Sequence, residues 1–131
     1  MEVLSAKELR IGNYYYYTCK DFLDERKKWD EVCQIDAQDF VWLESNPNDK
    51  DFKPIPLTEQ WLKDFGFEKE LDNSMVKGDI AIFLDRRFKT NLFLRDNQEN
   101  KWFSFNSKVE YVHQIQNLYF ALTGEELTIN Q

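Results

Sequence analysis

Pro54-Ile55-Pro56-Leu57-Thr58-Glu59-Gln60-Trp61-Leu62-Lys63-Asp64-Phe65-Gly66-Phe67 is the stretch that divides the chain. Pro54 and Pro56 each lack a backbone donor and have a fixed φ, so 54–56 closes a loop rather than continuing an element. Immediately afterwards Thr58 has the hydroxyl of an N-cap, Glu59 puts an anion in the first turn, and Leu57 can staple onto Leu62. Gly66 falls where a left-handed cap belongs, with Phe67 available to pack back on Leu62. The spacing predicts a two-turn helix, Glu59 to Phe65. The loop 45–56, which also holds Asn46-Pro47-Asn48-Asp49, separates an N-terminal β unit of about 8–45 from a remainder of 57–131. Together they are read as a single domain, 1–131.

Upstream, Ser5 and Glu8 have capping-box spacing for one helical turn that Gly12 would end. Tyr14-Tyr15-Tyr16-Tyr17-Thr18-Cys19 is all β-favouring without apolar/polar alternation. It reads as a strand covered on both faces, or one that carries phenols to a partner. The charged segment Lys20 to Lys28 reads as a hairpin loop. Trp29 to Asp36 and Asp39 to Glu44 supply two more strands, making a small three-stranded unit.

Downstream, Phe67 to Leu71, Asp79 to Leu84, Asn91 to Leu94 and Lys101 to Phe105 form an antiparallel meander, with turns at Asp72-Asn73-Ser74, Arg86 to Thr90 and Asp96 to Asn100. In its last strand Trp102, Ser104 and Asn106 share one face while Phe103 and Phe105 point to the core. Ser107 with Glu110 opens a C-terminal helix that Gly124 stops. Val109, Tyr111, Val112, Ile115, Leu118, Tyr119 and Leu122 share its apolar arc, opposite His113, Gln114, Asn117 and Ala121. Buried positions should include Phe103, Phe105, Leu118, Tyr119 and Leu122. Gln116 lies on the arc and needs an internal partner, and Gln116→Leu is expected to change stability mildly. The fold class is α+β: a three-stranded β unit, a short helix, an antiparallel meander and a C-terminal helix packed on a sheet.

Composition narrows the function classes. The 131 residues carry 17 Lys plus Arg against 24 Asp plus Glu, a net charge of -7 that repels nucleic acid and anionic membrane. Aromatic residues at 16% supply the apolar area that disordered chains lack. No apolar run approaches the ~18 to 20 residues of a membrane span, and Met1-Glu2-Val3-Leu4 lacks the basic and apolar regions of a secretion signal. The expectation is a cytoplasmic protein. Cys19, Cys33 and the single histidine cannot supply four structural zinc ligands, and a reducing cytosol disfavours a Cys19 to Cys33 disulfide. Phosphate-loop, dinucleotide, hydrolase-elbow and zincin spacings do not occur, and the clustered acids from Asp21 to Glu31 read as solvated. No cofactor, metal site or catalytic residue is assigned, and the chain is read as non-enzymatic.

Ile55 to Leu62 with Gly66-Phe67-Glu68, Tyr111-Val112-His113-Gln114-Ile115-Gln116-Asn117-Leu118-Tyr119-Phe120-Ala121-Leu122-Thr123-Gly124-Glu125-Glu126-Leu127, and Glu8 to Asn13 resemble small uncharacterised proteins encoded in phage, prophage and mobile-element regions of gut bacteria. That resemblance implies a setting and no activity, and it assigns no residue a role.

Two functions of different class follow. No Asp, Glu, Lys or Arg occurs from Tyr111 through Gly124, and a helix without a charged face is normally packed on both sides. The first reading is a protein-interaction protein that binds a host or phage protein through His113, Gln114 and Asn117 or through Tyr15 and Tyr17. Its acidity suits a basic partner. Homodimerisation through the same helix is a variant of this reading. His113 lacks the acid and nucleophile of a catalytic histidine, Glu110 being its only local acid. The second reading is a nucleotide or single-strand binding module built on Arg86, Arg87, Phe88, Lys89 and Trp102, since cations interleaved with aromatics pair with phosphates and stack bases. The broad basic footprint of such proteins is missing.

Overall fold

The computed structural model describes residues 3–84, 91–96, 98–99, 101–105 and 108–129. In chain order these form a 3-10 turn (Ala6–Glu8), β1 (Tyr14–Lys20), β2 (Lys28–Gln34), α1 (Ala37–Ser45) and β3 (Phe52–Lys53). There follow α2 (Glu59–Asp64), β4 (Glu68–Lys69), β5 (Met75–Lys77), β6 (Ile80–Ile82), β7 (Leu92–Asp96), β8 (Lys101–Phe105) and α3 (Val112–Thr123). The strands make two antiparallel sheets, one of three strands in the order β2-β1-β3 and one of five in the order β4-β5-β6-β7-β8. The fold is α+β. Two compact units divide the chain, Met1–Pro56 with Tyr111–Glu125, and Leu57–Glu110 with Glu126–Gln131.

In the first unit the β1–β2 hairpin forms as its residues suggest, but the third strand is Phe52–Lys53 and not Asp39 to Glu44. Asp36 and Asp39 explain the difference. The Asp36 carboxylate accepts from the Asp39 N–H at 2.8 Å and the Asp39 carboxylate accepts from the Asp36 N–H at 3.1 Å. This reciprocal cap starts α1 and turns Phe40 to Glu44 into helix despite their β-favouring side chains. Phe52 then crosses Tyr17, and its ring stacks on Tyr15 at 5.0 Å. Leu4, Leu9, Tyr15, Ile35, Leu43 and Phe52 form the buried cluster, each large aliphatic side chain contributing ~1.5–3 kcal/mol by leaving water.

α3 packs on β1. It starts at Val112, later than the sequence suggests, because the Pro56↔Tyr111 bridge keeps the preceding residues extended; Ser107 itself lies outside the described residues. Gly124 ends the helix at φ 76°. Its buried stripe is Val112, His113, Ile115, Gln116 and Tyr119, rotated toward the polar residues relative to the expected arc. As a result Leu118 is only half-buried and Leu122 is exposed. The cause is Gln116, whose carboxamide accepts from the Tyr14 N–H at 2.9 Å and donates to the Gly12 carbonyl at 3.2 Å. Asn13 Nδ2 reaches Asn117 Oδ1 at 2.9 Å, and Asn117 Nδ2 reaches the Glu8 carbonyl at 2.8 Å. In its last turn Phe120, Ala121 and Leu122 are exposed, with the Arg10 guanidinium 4.3 Å over the Phe120 ring.

In the second unit α2 obeys its sequence signals. Thr58 Oγ1 accepts from the Trp61 N–H, Gly66 adopts φ 95°, and Phe67 N–H and Gly66 N–H bond back to the Leu62 and Lys63 carbonyls at 2.9 Å each. This is a Schellman cap that buries Leu62 and Phe67 together. The meander has five strands rather than four, because Met75–Lys77 turns back at Gly78-Asp79 before Ile80. Met75, Ile80, Ile82 and Leu92 are buried on one sheet face with Leu62, Phe65 and Phe67. Phe103, read as core, is 52% exposed. Five strands at ~4.8 Å spacing span about 19 Å, wider than a two-turn helix covers, and β8 is the edge strand. The Phe105 side chain lies outside what is described.

Gln116→Leu should cost about 1–3 kcal/mol rather than little, since it leaves the Tyr14 donor without its acceptor, while the Gly12 carbonyl keeps the Gln34 amide at 3.2 Å. Urea unfolding checks this; a loss under about 0.5 kcal/mol would show that water replaces the bond to Tyr14.

Candidate functional site

Alternate residues of a strand face opposite ways. The register Met75↔Ile82↔Leu92 assembles the buried face. From that face Lys77 Nζ donates to the Phe65 carbonyl at 2.6 Å, which sets the end of α2 over it. The complementary register, Val76↔Ala81↔Phe93 followed by Arg95↔Trp102, assembles the other face. No described element of this unit covers it. It forms a groove of about 710 Å³ whose floor is Val76, Ala81, Phe83 and Phe93 and whose far wall is Arg95 and Trp102. At the near end Glu70, Leu71, Asp72 and Ser74 contribute from the turn between β4 and β5.

The floor is aromatic and fixed. Phe83 and Phe93 meet edge to face, centroids 5.4 Å apart at 79°. Ala81, directly across from Phe93, lies beneath them and is 4% exposed. Arg95 is committed within the wall: Nε meets Asp79 Oδ1 at 3.1 Å, Nη2 donates to the Gly78 carbonyl at 3.1 Å, and the guanidinium lies 5.1 Å over Trp102. Its charge is compensated and its plane supports the indole. Asp72 accepts from both the N–H and the hydroxyl of Ser74, and these bonds hold its carboxyl below the usual range. Among the described residues no cation pairs with Glu70 or Asp72, so this end of the groove is anionic at neutral pH.

Of the described residues singled out from sequence as candidate contacts, only Trp102 lies in this groove. Arg86, Arg87, Phe88 and Lys89 lie outside the described residues. His113 and Tyr15 were read as surface contacts and are buried, at 1% and 4% exposure. The reason for His113 is the rotation of α3 toward Gln116; for Tyr15 it is the stack on Phe52 and the bond from its hydroxyl to Asp39 at 3.3 Å. Burial, then Asp39, pushes the Tyr15 phenol far up. Tyr17 is half-buried, edge-on to Phe52 at 5.2 Å. Gln114 accepts from the Tyr111 N–H at 3.0 Å and so caps α3, and Asn117 serves the Glu8 carbonyl. These amides have structural work in the first unit. Phe83, Phe93 and Arg95 were not singled out, although carrying the outward parity of Trp102 back across β7 reaches Phe93 and Arg95.

Both cysteines are free. Among the described residues no group of three His, Cys, Asp or Glu could hold a metal ion, and no helix is long and apolar enough to cross a membrane. Set against family models, curated proteins and solved structures, the chain matches none.

His113 Nε2 stands 3.6 Å from Glu8 Oε2, beyond hydrogen-bond range, and neither ring nitrogen has a hydrogen-bond partner. Burial lowers its basicity while the Glu8 carboxylate opposes this. A histidine held neutral in the folded state stabilises fully above its ordinary pKa of 6.5, and that contribution is lost as pH falls below it, because the unfolded chain takes the proton first. The protection of the α3 amides, once the slower intrinsic exchange at lower pH is divided out, should therefore fall between about pH 7 and 5, and His113→Phe should flatten that dependence; an unchanged slope in the variant would assign it to other groups.

Proposed function

We propose that this is a small non-enzymatic protein-interaction protein of phage or mobile-element origin that acts by binding a host or phage protein, with the open face of the five-stranded sheet as its contact. The observation that carries the reading is the aromatic groove in which exposed Trp102 stands beside half-buried Phe83 and Phe93, opposite the buried face. Apolar patches rimmed by polar groups mark interaction sites, and aromatic residues with arginine are enriched in the cores of interfaces. Leu71, fully exposed at the rim, extends the patch. The phage or mobile-element setting is supported by the resemblance of the Ile55 to Glu68 and Tyr111 to Leu127 strings.

The arginine over Trp102 favours a second reading, a nucleotide or single strand stacked on the indole. Weighing against it, Arg95 is already paired with Asp79, and Glu70 and Asp72 repel phosphate.

A photo-crosslinking residue at position 93 separates the two readings. Exposed to host and phage lysates, it should join a discrete protein, insensitively to nuclease. Phe93→Asp should abolish capture of that protein, while Val41→Asp, in α1, should leave it intact. Arg86→Glu with Arg87→Glu should likewise spare it. Cross-links to nucleic acid, or a short oligothymidine bound by the wild type and lost in that double variant, would overturn the protein reading.

A further inference from the structure

We infer that the groove takes an extended peptide segment lying across the strands, in which an apolar side chain over Ala81 is followed or preceded two positions away by lysine or arginine. This deepens the protein-binding reading and rests on it. The length of the groove sets the conformation. It runs from the β4–β5 turn to β8, and at ~4.8 Å per strand this is about 15–19 Å, the reach of five or six extended residues. A helix of that length would need ten or more residues and a wider trough.

The floor sets the anchor. Val76, Phe83 and Phe93 are the accessible floor above the buried Ala81, so a leucine, methionine or phenylalanine laid over that position meets two rings already locked edge to face.

Charge sets the neighbour. Arg95 is neutralised by Asp79, whereas Glu70 and Asp72 have no cation among the described residues. Floor-facing positions of an extended segment recur every ~6.8 Å. The next one toward β4 falls within reach of a long cationic side chain to these carboxylates, where an anion would meet two like charges. The apolar stem of lysine or arginine can also lie along Leu71 and Val76 while its head meets the acids.

Capped peptides Lys-Ser-Phe-Ser-Ser and the reverse order test this, against matched peptides with Glu for Lys and Ala for Phe. Titrations are followed by backbone amide shifts of the whole chain. The better Lys peptide should bind roughly tenfold tighter than its Glu counterpart, with the preference shrinking as salt rises. Glu70→Gln with Asp72→Asn keeps the turn acceptor and should erase the preference, and Ala81→Leu should weaken binding of every Phe peptide. Shifts should centre on Ala81, Phe93 and Trp102. Equal binding of Lys and Glu peptides, a preference that survives the double variant, or no shift at these residues overturns the inference. If Phe93→Asp still abolishes capture of the cross-linked protein, the protein-binding reading stands without it; if it does not, both fall.

Discussion

One carboxamide holds the first unit together. Gln116 Oε1 accepts from the Tyr14 N–H and its Nε2 donates to the Gly12 carbonyl, so residues more than a hundred positions apart share one buried polar contact. Asn13 and Asn117 extend it into a ladder of amides. Buried amides satisfy one another at far lower cost than buried charges, which is why α3 carries glutamine and asparagine where a surface helix carries lysine and glutamate. The same contact explains the course of the chain. Pro56 pairs with Tyr111, and the Val112 N–H bonds to the Ile55 carbonyl. The chain leaves and re-enters the first unit through adjacent antiparallel segments, and Leu57–Glu110 fold as a second unit with their own buried cluster.

The second unit depends on an asymmetry between the faces of one sheet. A two-turn helix, capped at both ends by its own residues, brings Leu62 and Phe65 to a face of Met75, Ile80, Ile82 and Leu92. On the opposite face Phe83 and Phe93 are half-buried and Trp102 is exposed. Within the described residues its single cation is tied to Asp79 and to the indole plane. That leaves an apolar floor with an anionic end, which fits the excess of acids in the whole chain and favours a cationic, apolar partner over phosphate.

The elements that were legible in sequence are those with local causes. Thr58, Gly66 and Phe67 act within one helix, and Gly124 within another, so their spacing was enough. The hairpin of β1 and β2 and the outward face of Trp102 follow from strand parity alone. What misled was competition between local signals. Phe40 to Glu44 favour a strand by side-chain type, yet two aspartates three apart satisfy helix donors and prevail. The position of α3 was misread for a related reason: apolar periodicity locates a stripe, but hydrogen-bond demand from Gly12 and Tyr14 rotates it, exposing Leu122 and burying His113.

By itself the sequence determined the α+β class, the capped helix after the proline loop, the antiparallel pairing downstream of it and the absence of charge along the last helix, because each rests on interactions within a few residues. Only the tertiary structure decided which strand completes the first sheet, where the amides of α3 find partners and which residues form the groove. Those outcomes depend on contacts between segments tens of residues apart, and on which face of a sheet another element is long enough to cover.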